Sequence, residues 1–90
     1  MIKVIIPTSL RQAVGNLPEI EVEAANIKEL LKNIAQKYLA LFSEICNDQG
    51  DLKEFVNIFV NDQDIKFLSK KETSLTPADI VHIIYPIAGG

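Results

Sequence analysis

Two nearly continuous apolar runs stand at opposite ends of the chain, Ile2-Lys3-Val4-Ile5-Ile6 and Ile80-Val81-His82-Ile83-Ile84-Tyr85. Both are rich in β-branched residues, which suit a pleated strand, and Pro7 halts the first. As the most apolar segments they are expected side by side at the centre of one sheet, brought together from the two chain ends. Everything between must fold around that pair. With 90 residues, 48% of them apolar, one layered core is expected, and a core plus a deep substrate cavity is not.

Glu19-Ile20-Glu21-Val22-Glu23-Ala24 alternates with period two, which predicts a half-buried strand hairpin-paired with the first through the turn-tolerant Gly15-Asn16. Its outward glutamates keep an exposed strand solvated. Ile27, Leu30, Leu31, Ile34, Ala35 and Tyr38 then recur at helical spacing, with Asn26 as N-cap and Glu29 three residues later. Leu41, Phe42 and Ile45 continue as a short further piece of helix before the polar loop Asn47-Asp48-Gln49-Gly50-Asp51. Phe55 to Asn61 reads as a strand that sets Val56, Ile58 and Val60 against Phe55, Asn57, Phe59 and Asn61. Asp62-Gln63-Asp64 reads as a turn, Ile65-Lys66-Phe67 as a short return strand, and Ser69 to Asp79 as a loop. The order strand, strand, helix, strand, short strand, strand predicts an α+β chain of β-grasp, or ubiquitin-like, architecture. A mixed sheet of about five strands packs on one main helix, with residues 1–85 as the domain and 86–90 as a flexible, extended C-terminal tail.

Charge and cysteine usage narrow the function. Nine Lys and Arg stand against twelve Asp and Glu, scattered and with Lys70-Lys71 the only adjacent basic pair, so no nucleic-acid partner is expected. Cys46 is the single cysteine, read as a small structural thiol, and no metal site is expected. The apolar runs are too short for a signal segment or a spanning helix, so no membrane partner and a cytoplasmic location are expected. One histidine, one cysteine and no paired carboxylates in an apolar pocket offer no nucleophile–base constellation, so no catalytic residue is assigned and no cofactor is expected to be bound.

The chemistry gathers at the other side of Tyr85, in Pro86-Ile87-Ala88-Gly89-Gly90. At about 3.3–3.6 Å per residue these five reach roughly 17 Å, enough to enter a partner's active site while the domain stays outside. Glycine lacks Cβ, so Gly89-Gly90 can thread a narrow channel and leave the terminal carbonyl open to attack. The α-carboxylate is an anion at neutral pH and a poor electrophile. ATP can convert it to an acyl-adenylate, from which a sulfur nucleophile gives a thiocarboxylate and a lysine an isopeptide bond.

Over nearly its full length the chain resembles the ThiS/MoaD family of sulfur-carrier proteins. The resemblance is carried by Pro7-Thr8-Ser9-Leu10-Arg11, by Phe55-Val56-Asn57-Ile58-Phe59-Val60-Asn61-Asp62 followed by Asp64-Ile65, and by Ala88-Gly89-Gly90. It is nearest the branch of molybdopterin-synthase small subunits and the carrier of thiocarboxylate-dependent cysteine biosynthesis. What it implies is that an E1-like enzyme spends ATP to adenylate Gly90, that a persulfide or sulfide source installs sulfur there, and that a synthase accepts it. The chain would then be a protein co-substrate and not an enzyme; as a molybdopterin-synthase small subunit it would contribute only the sulfur donor. Pterin dithiolene, thiazole and cysteine branches share this tail chemistry and differ in the docked partner. Two positions depart from the family pattern: Ala78-Asp79 replaces a frequent Gly-Asp before the last strand, and Gly15-Asn16 replaces a frequent Gly-Gly.

If Val81 and Ile83 face the helix, Ile80, His82 and Ile84 face outward with Phe59 on a neighbouring strand, which predicts an apolar docking patch at the root of the tail. Two other readings of the same residues stay open. One is a ubiquitin-like modifier conjugated to lysines through Gly90; the other is a β-grasp binding module with an incidental Gly-Gly end.

Overall fold

The computed structural model describes residues 1–86. Strand β1 (Ile2–Ile5) leads into a 3-10 helix at Thr8–Val14, and β2 (Glu19–Val22) returns beside β1. Helix α1 (Ile27–Lys37) is followed at once by α2 (Leu39–Ile45). After a loop come β3 (Asn57–Val60), β4 (Gln63–Asp64), single 3-10 turns at Ile65–Phe67 and Lys70–Glu72, and β5 (Ile80–Ile84).

The sheet runs β2-β1-β5-β3-β4. The two end runs are neighbours in its interior, as expected, and they are the parallel pair, with Val4 opposite Val81; all other pairs are antiparallel. Parallel neighbours need a long crossover, which the helical middle of the chain supplies. Ile2, Val4, Ile58, Val81 and Ile83 are each at most 2% exposed and share one core with Ile27, Leu30, Leu31 and Ile34 of α1 and Leu41 and Ile45 of α2. This is the β-grasp arrangement.

The start of α1 follows its sequence signature. Asn26 Oδ1 accepts the Glu29 N–H at 2.8 Å, and Glu29 Oε1 accepts the Ala25 N–H at 3.0 Å, a capping box whose return bond falls one residue early. Asn26→Ala is expected to cost about 1 kcal/mol in urea denaturation, and Asn26→Gly only a few tenths. At Tyr38 the backbone leaves the helical region (φ −133°, ψ 65°), so Leu41, Phe42 and Ile45 form a separate helix.

Three local expectations are corrected. Ile65-Lys66-Phe67 is not the return strand: Asp64 Oδ1 accepts the Lys66 N–H at 2.9 Å and the Leu68 N–H donates to Ile65 O at 3.0 Å, closing a 3-10 turn. Ile65 is buried there while Phe67 is 87% exposed, whereas strand alternation would put both on one face. The return strand is Gln63–Asp64, reached through a tight turn with Asn61 at φ 57°. Phe55 is not on β3, because the Val56 N–H donates to Lys53 O and makes Lys53–Val56 a turn. Ile6, Glu23, Ala24, Val56, Asn61 and Tyr85 lie just outside the strands assigned to them.

The two departures from the family pattern cost the fold little. Gly15 and Asn16 both adopt the left-handed region, at φ 70° and 65°, which asparagine tolerates. The turn Thr76-Pro77-Ala78-Asp79 contains no residue with positive φ and needs no glycine. It is closed by Asp79 N–H to Thr76 O and Thr76 N–H to Asp79 Oδ2, both 2.9 Å. Asp79 Oδ1 accepts from Asn61 Nδ2 at 3.1 Å, and Asn61 Oδ1 accepts the Ile80 N–H at 3.0 Å, which ties the β3–β4 turn to the start of β5. The Thr76 N–H and then the Asn61 amide hold the Asp79 carboxyl below its ordinary pKa. The stabilisation from these bonds is present above the ordinary aspartate range and is lost as pH falls through the lowered value.

Candidate functional site

Alternation along β5 sends Val81 and Ile83 to the core and Ile80, His82 and Ile84 to the outer face. Phe59 lies directly opposite His82, and Asn57 opposite Ile84. The structure therefore brings Phe59, His82 and Ile84 together in a shallow hollow that also takes in Asn57, Asn61 and Asp62. Ile80 lies beside it, opposite Lys3 of β1. Ile84 and Ile80 are 45% and 37% exposed, large values for isoleucines on a sheet.

Ile5, half-buried and opposite His82, completes a row across the outer face that reads Glu19, Ile5, His82, Phe59, Asp64. Ile5 was not among the expected patch residues; its apolar character was visible, but its place beside His82 depends on the parallel register. Asn57 was legible as sharing Phe59's face. Here Asn57 Oδ1 accepts from Lys66 Nζ at 2.8 Å. The face is thus apolar in the middle, with carboxylates at both margins: Glu19 and Glu21 on β2, Asp62 and Asp64 on the hairpin. On the β2 side Glu19 is paired with Lys3 at 3.6 Å.

The tail's root is built by other residues. Tyr85 packs partly against the core and meets Phe55 edge to face, with ring centroids 5.4 Å apart at 82°. Its hydroxyl donates to Glu44 Oε2 on α2 over 3.4 Å. Desolvation and then the Glu44 carboxylate raise the phenol pKa, which favours the protonated, donating form. Pro86 follows and is exposed. Ile87, Ala88, Gly89 and Gly90, the other expected tail residues, lie outside the described residues.

Cys46 is 3% exposed, and burial pushes its thiol up to about 11 against the opposing charge of Lys71. A buried, protonated thiol fits the structural reading of Cys46. Labelling of Cys46 by a disulfide reagent at pH 8 is expected to be at least about 10³-fold slower in native protein than in urea-unfolded protein, since reaction must wait for opening. Comparable rates in the two states would show the thiol to be accessible. Among the described residues no group of three or more His, Cys, Asp or Glu is placed to hold a metal ion, and no helix is long and apolar enough to cross a membrane.

Comparison with known proteins gives a consistent neighbourhood. The sulfur carrier protein CysO of Mycobacterium tuberculosis is 29% identical over 91 residues, spanning 99% of this chain and 98% of its own. A chain of the Amycolatopsis orientalis BexX/CysO complex superposes with a TM-score of 0.88 at 27% identity, covering 100% of both chains. The small archaeal modifier protein 1 of Methanosarcina acetivorans does so with 0.85 at 29% identity, covering 99% of this chain and 95% of its own. The family model described as ThiS matches residues 4–90, from the first strand through the terminal Gly89-Gly90, and the chain belongs to the ThiS family.

Proposed function

We propose that this protein is a sulfur carrier whose reactive group is the α-carboxylate of Gly90, and that it acts as a co-substrate of other enzymes. The observation that carries this reading is the ThiS-family match, which takes in Gly89 and Gly90. In the first step a Gly90 carboxylate oxygen attacks the α-phosphorus of ATP in an adenylating enzyme, forming the acyl-adenylate and releasing pyrophosphate. In the second, sulfur attacks the Gly90 carbonyl and the bond to the bridging oxygen breaks, so AMP departs carrying the carboxylate oxygen that had attacked phosphorus. Hydrosulfide gives the thiocarboxylate directly. A persulfide gives an acyl disulfide, which a second thiol must cleave to release the thiocarboxylate. A sulfur-accepting synthase then takes the sulfur.

The outer face of the sheet is the docking surface in this reading, through Phe59, Ile80, His82 and Ile84, with Ile5 extending it toward β2. It gives a partner an apolar area next to the root of the tail, so docking and threading of Pro86 to Gly90 are parts of one encounter. CysO of Mycobacterium tuberculosis, a sulfur carrier, supports the donor role. A second reading is favoured by the likeness to the archaeal modifier: the same adenylate intercepted by a lysine amine, giving an isopeptide-linked ubiquitin-like modifier.

Intact mass of the protein from its own cells, with fragmentation of the C-terminal peptide, separates these readings. One oxygen-to-sulfur exchange at Gly90 is the expected result. Gly90 joined to lysine would establish the modifier. A bare carboxylate that persists with cell extract, ATP and sulfide would overturn both.

A further inference from the structure

The chain passes through one tight cluster before it reaches the tail. Tyr85 keeps the inward parity of Val81 and Ile83, and its side chain is held from two directions, by Glu44 on α2 and by Phe55 in the turn before β3. The next residue, Pro86, fixes its own φ at about −65° and confines Tyr85 to extended backbone. Two consecutive residues at the root are therefore restrained, one by its side-chain contacts and one by its ring. Phe55 is 48% exposed and is not among the hydrophobic residues packed on the core. This half-exposed ring meets Tyr85, the last residue before the tail, edge to face.

We propose that Phe55, Tyr85 and Glu44 form a positioning clamp for Gly90, setting where and in which direction the tail leaves the domain. The proposal rests on the carrier reading. Drawn out in a partner's channel, residues 87–90 span at most about 14 Å, so a swing of about 10° at the root displaces the tip by about 2 Å. A misplacement of that size is enough to take a carboxylate out of line with the phosphorus it must attack. A clamped root lowers the ordering cost of threading, because fewer orientations are lost once the face has docked. Phe55, Tyr85 and Glu44 are positioning residues; none meets the reacting atoms.

The test is ATP–pyrophosphate exchange by the cognate adenylating enzyme, with the full chain as substrate. Phe55→Ala is expected to lower kcat about three- to tenfold, the equivalent of the lost ring pair, with KM within about twofold. Phe55→Tyr, which keeps the ring, restores kcat. The backbone amide order parameter of Tyr85 is expected to fall from about 0.85 toward 0.6 in Phe55→Ala. A merely structural role for Phe55 would lower the melting temperature and leave both readouts unchanged. Wild-type kcat in Phe55→Ala overturns the clamp. A rise in KM at unchanged kcat and unchanged Tyr85 order parameter also overturns it, and makes Phe55 a docking contact. Absence of exchange with the wild-type chain would sink the carrier reading instead, and an unchanged Tyr85 order parameter would then sink the clamp independently.

Discussion

Deleting Gly90, or adding one alanine after it, is expected to reduce thiocarboxylate formation by at least about 10³-fold while leaving the melting temperature unchanged. In the proposed carrier chemistry the reacting carboxylate must lie in line with the α-phosphorus of ATP inside the partner. Shifting it by one residue moves it about 3.3–3.6 Å along the tail, several times the error that already costs about a hundredfold. The deletion still ends in a carboxylate, so charge and chemistry are kept and only position changes. The melting temperature is expected to hold because, among the described residues, the buried core runs from Ile2 to Ile83 and is complete without Gly90. The measurement is the mass of the C-terminal peptide after incubation with the activating enzyme, ATP and sulfide, alongside thermal melts. Thiocarboxylate formed at the wild-type rate by either variant would end the assignment of Gly90 as the position the partner reads.

Much of this arrangement was legible because burial on one face of a regular element leaves a periodic trace. The apolar runs at the two chain ends led to the β1–β5 pair, the stripe from Ile27 to Tyr38 to α1, and the parity of β5 to the outward set Ile80, His82 and Ile84. Features that depend on one or two hydrogen bonds left no such trace. Ile65 and Phe67 have the spacing of a strand, yet the Asp64 side chain captures the Lys66 N–H and closes a turn instead. Phe55 shares the sequence parity of Phe59, but a turn bond from Val56 to Lys53 takes it out of β3 and against Tyr85. Ile5 joins the outer row only through the register that sets it opposite His82, information held by two segments far apart in the chain. The chemistry proposed for the tail rests on residue type, two glycines and a carboxylate, so it can be proposed from the sequence without any packing argument.

Ile84→Asp is expected to raise the Kd for the adenylating enzyme about thirtyfold, read by titration calorimetry, with a melting curve close to wild type. In the free protein the new carboxylate stays in water, because Ile84 is 45% exposed and points away from the core. In the complex it must be desolvated within an apolar contact, with Lys66 beside Asn57 as the nearest cation to offset it, which still costs more than the lost methylene contacts. The carboxylates at the margins, Glu19 and Glu21 on one side and Asp62 and Asp64 on the other, only partly offset by Lys3 and Lys66, leave the rim acidic and add a second expectation. A partner that fits this face presents basic groups around an apolar centre, so binding of the unmodified protein weakens as salt is raised. Glu21→Gln, at the rim, is then expected to reduce the salt dependence and slow association while leaving dissociation nearly unchanged. The two substitutions separate centre from rim: loss of the apolar centre appears in the dissociation rate, and loss of a rim charge in the association rate. If Ile84→Asp binds with wild-type affinity, the partner uses another face, and the hollow between Phe59, His82 and Ile84 has no part in docking.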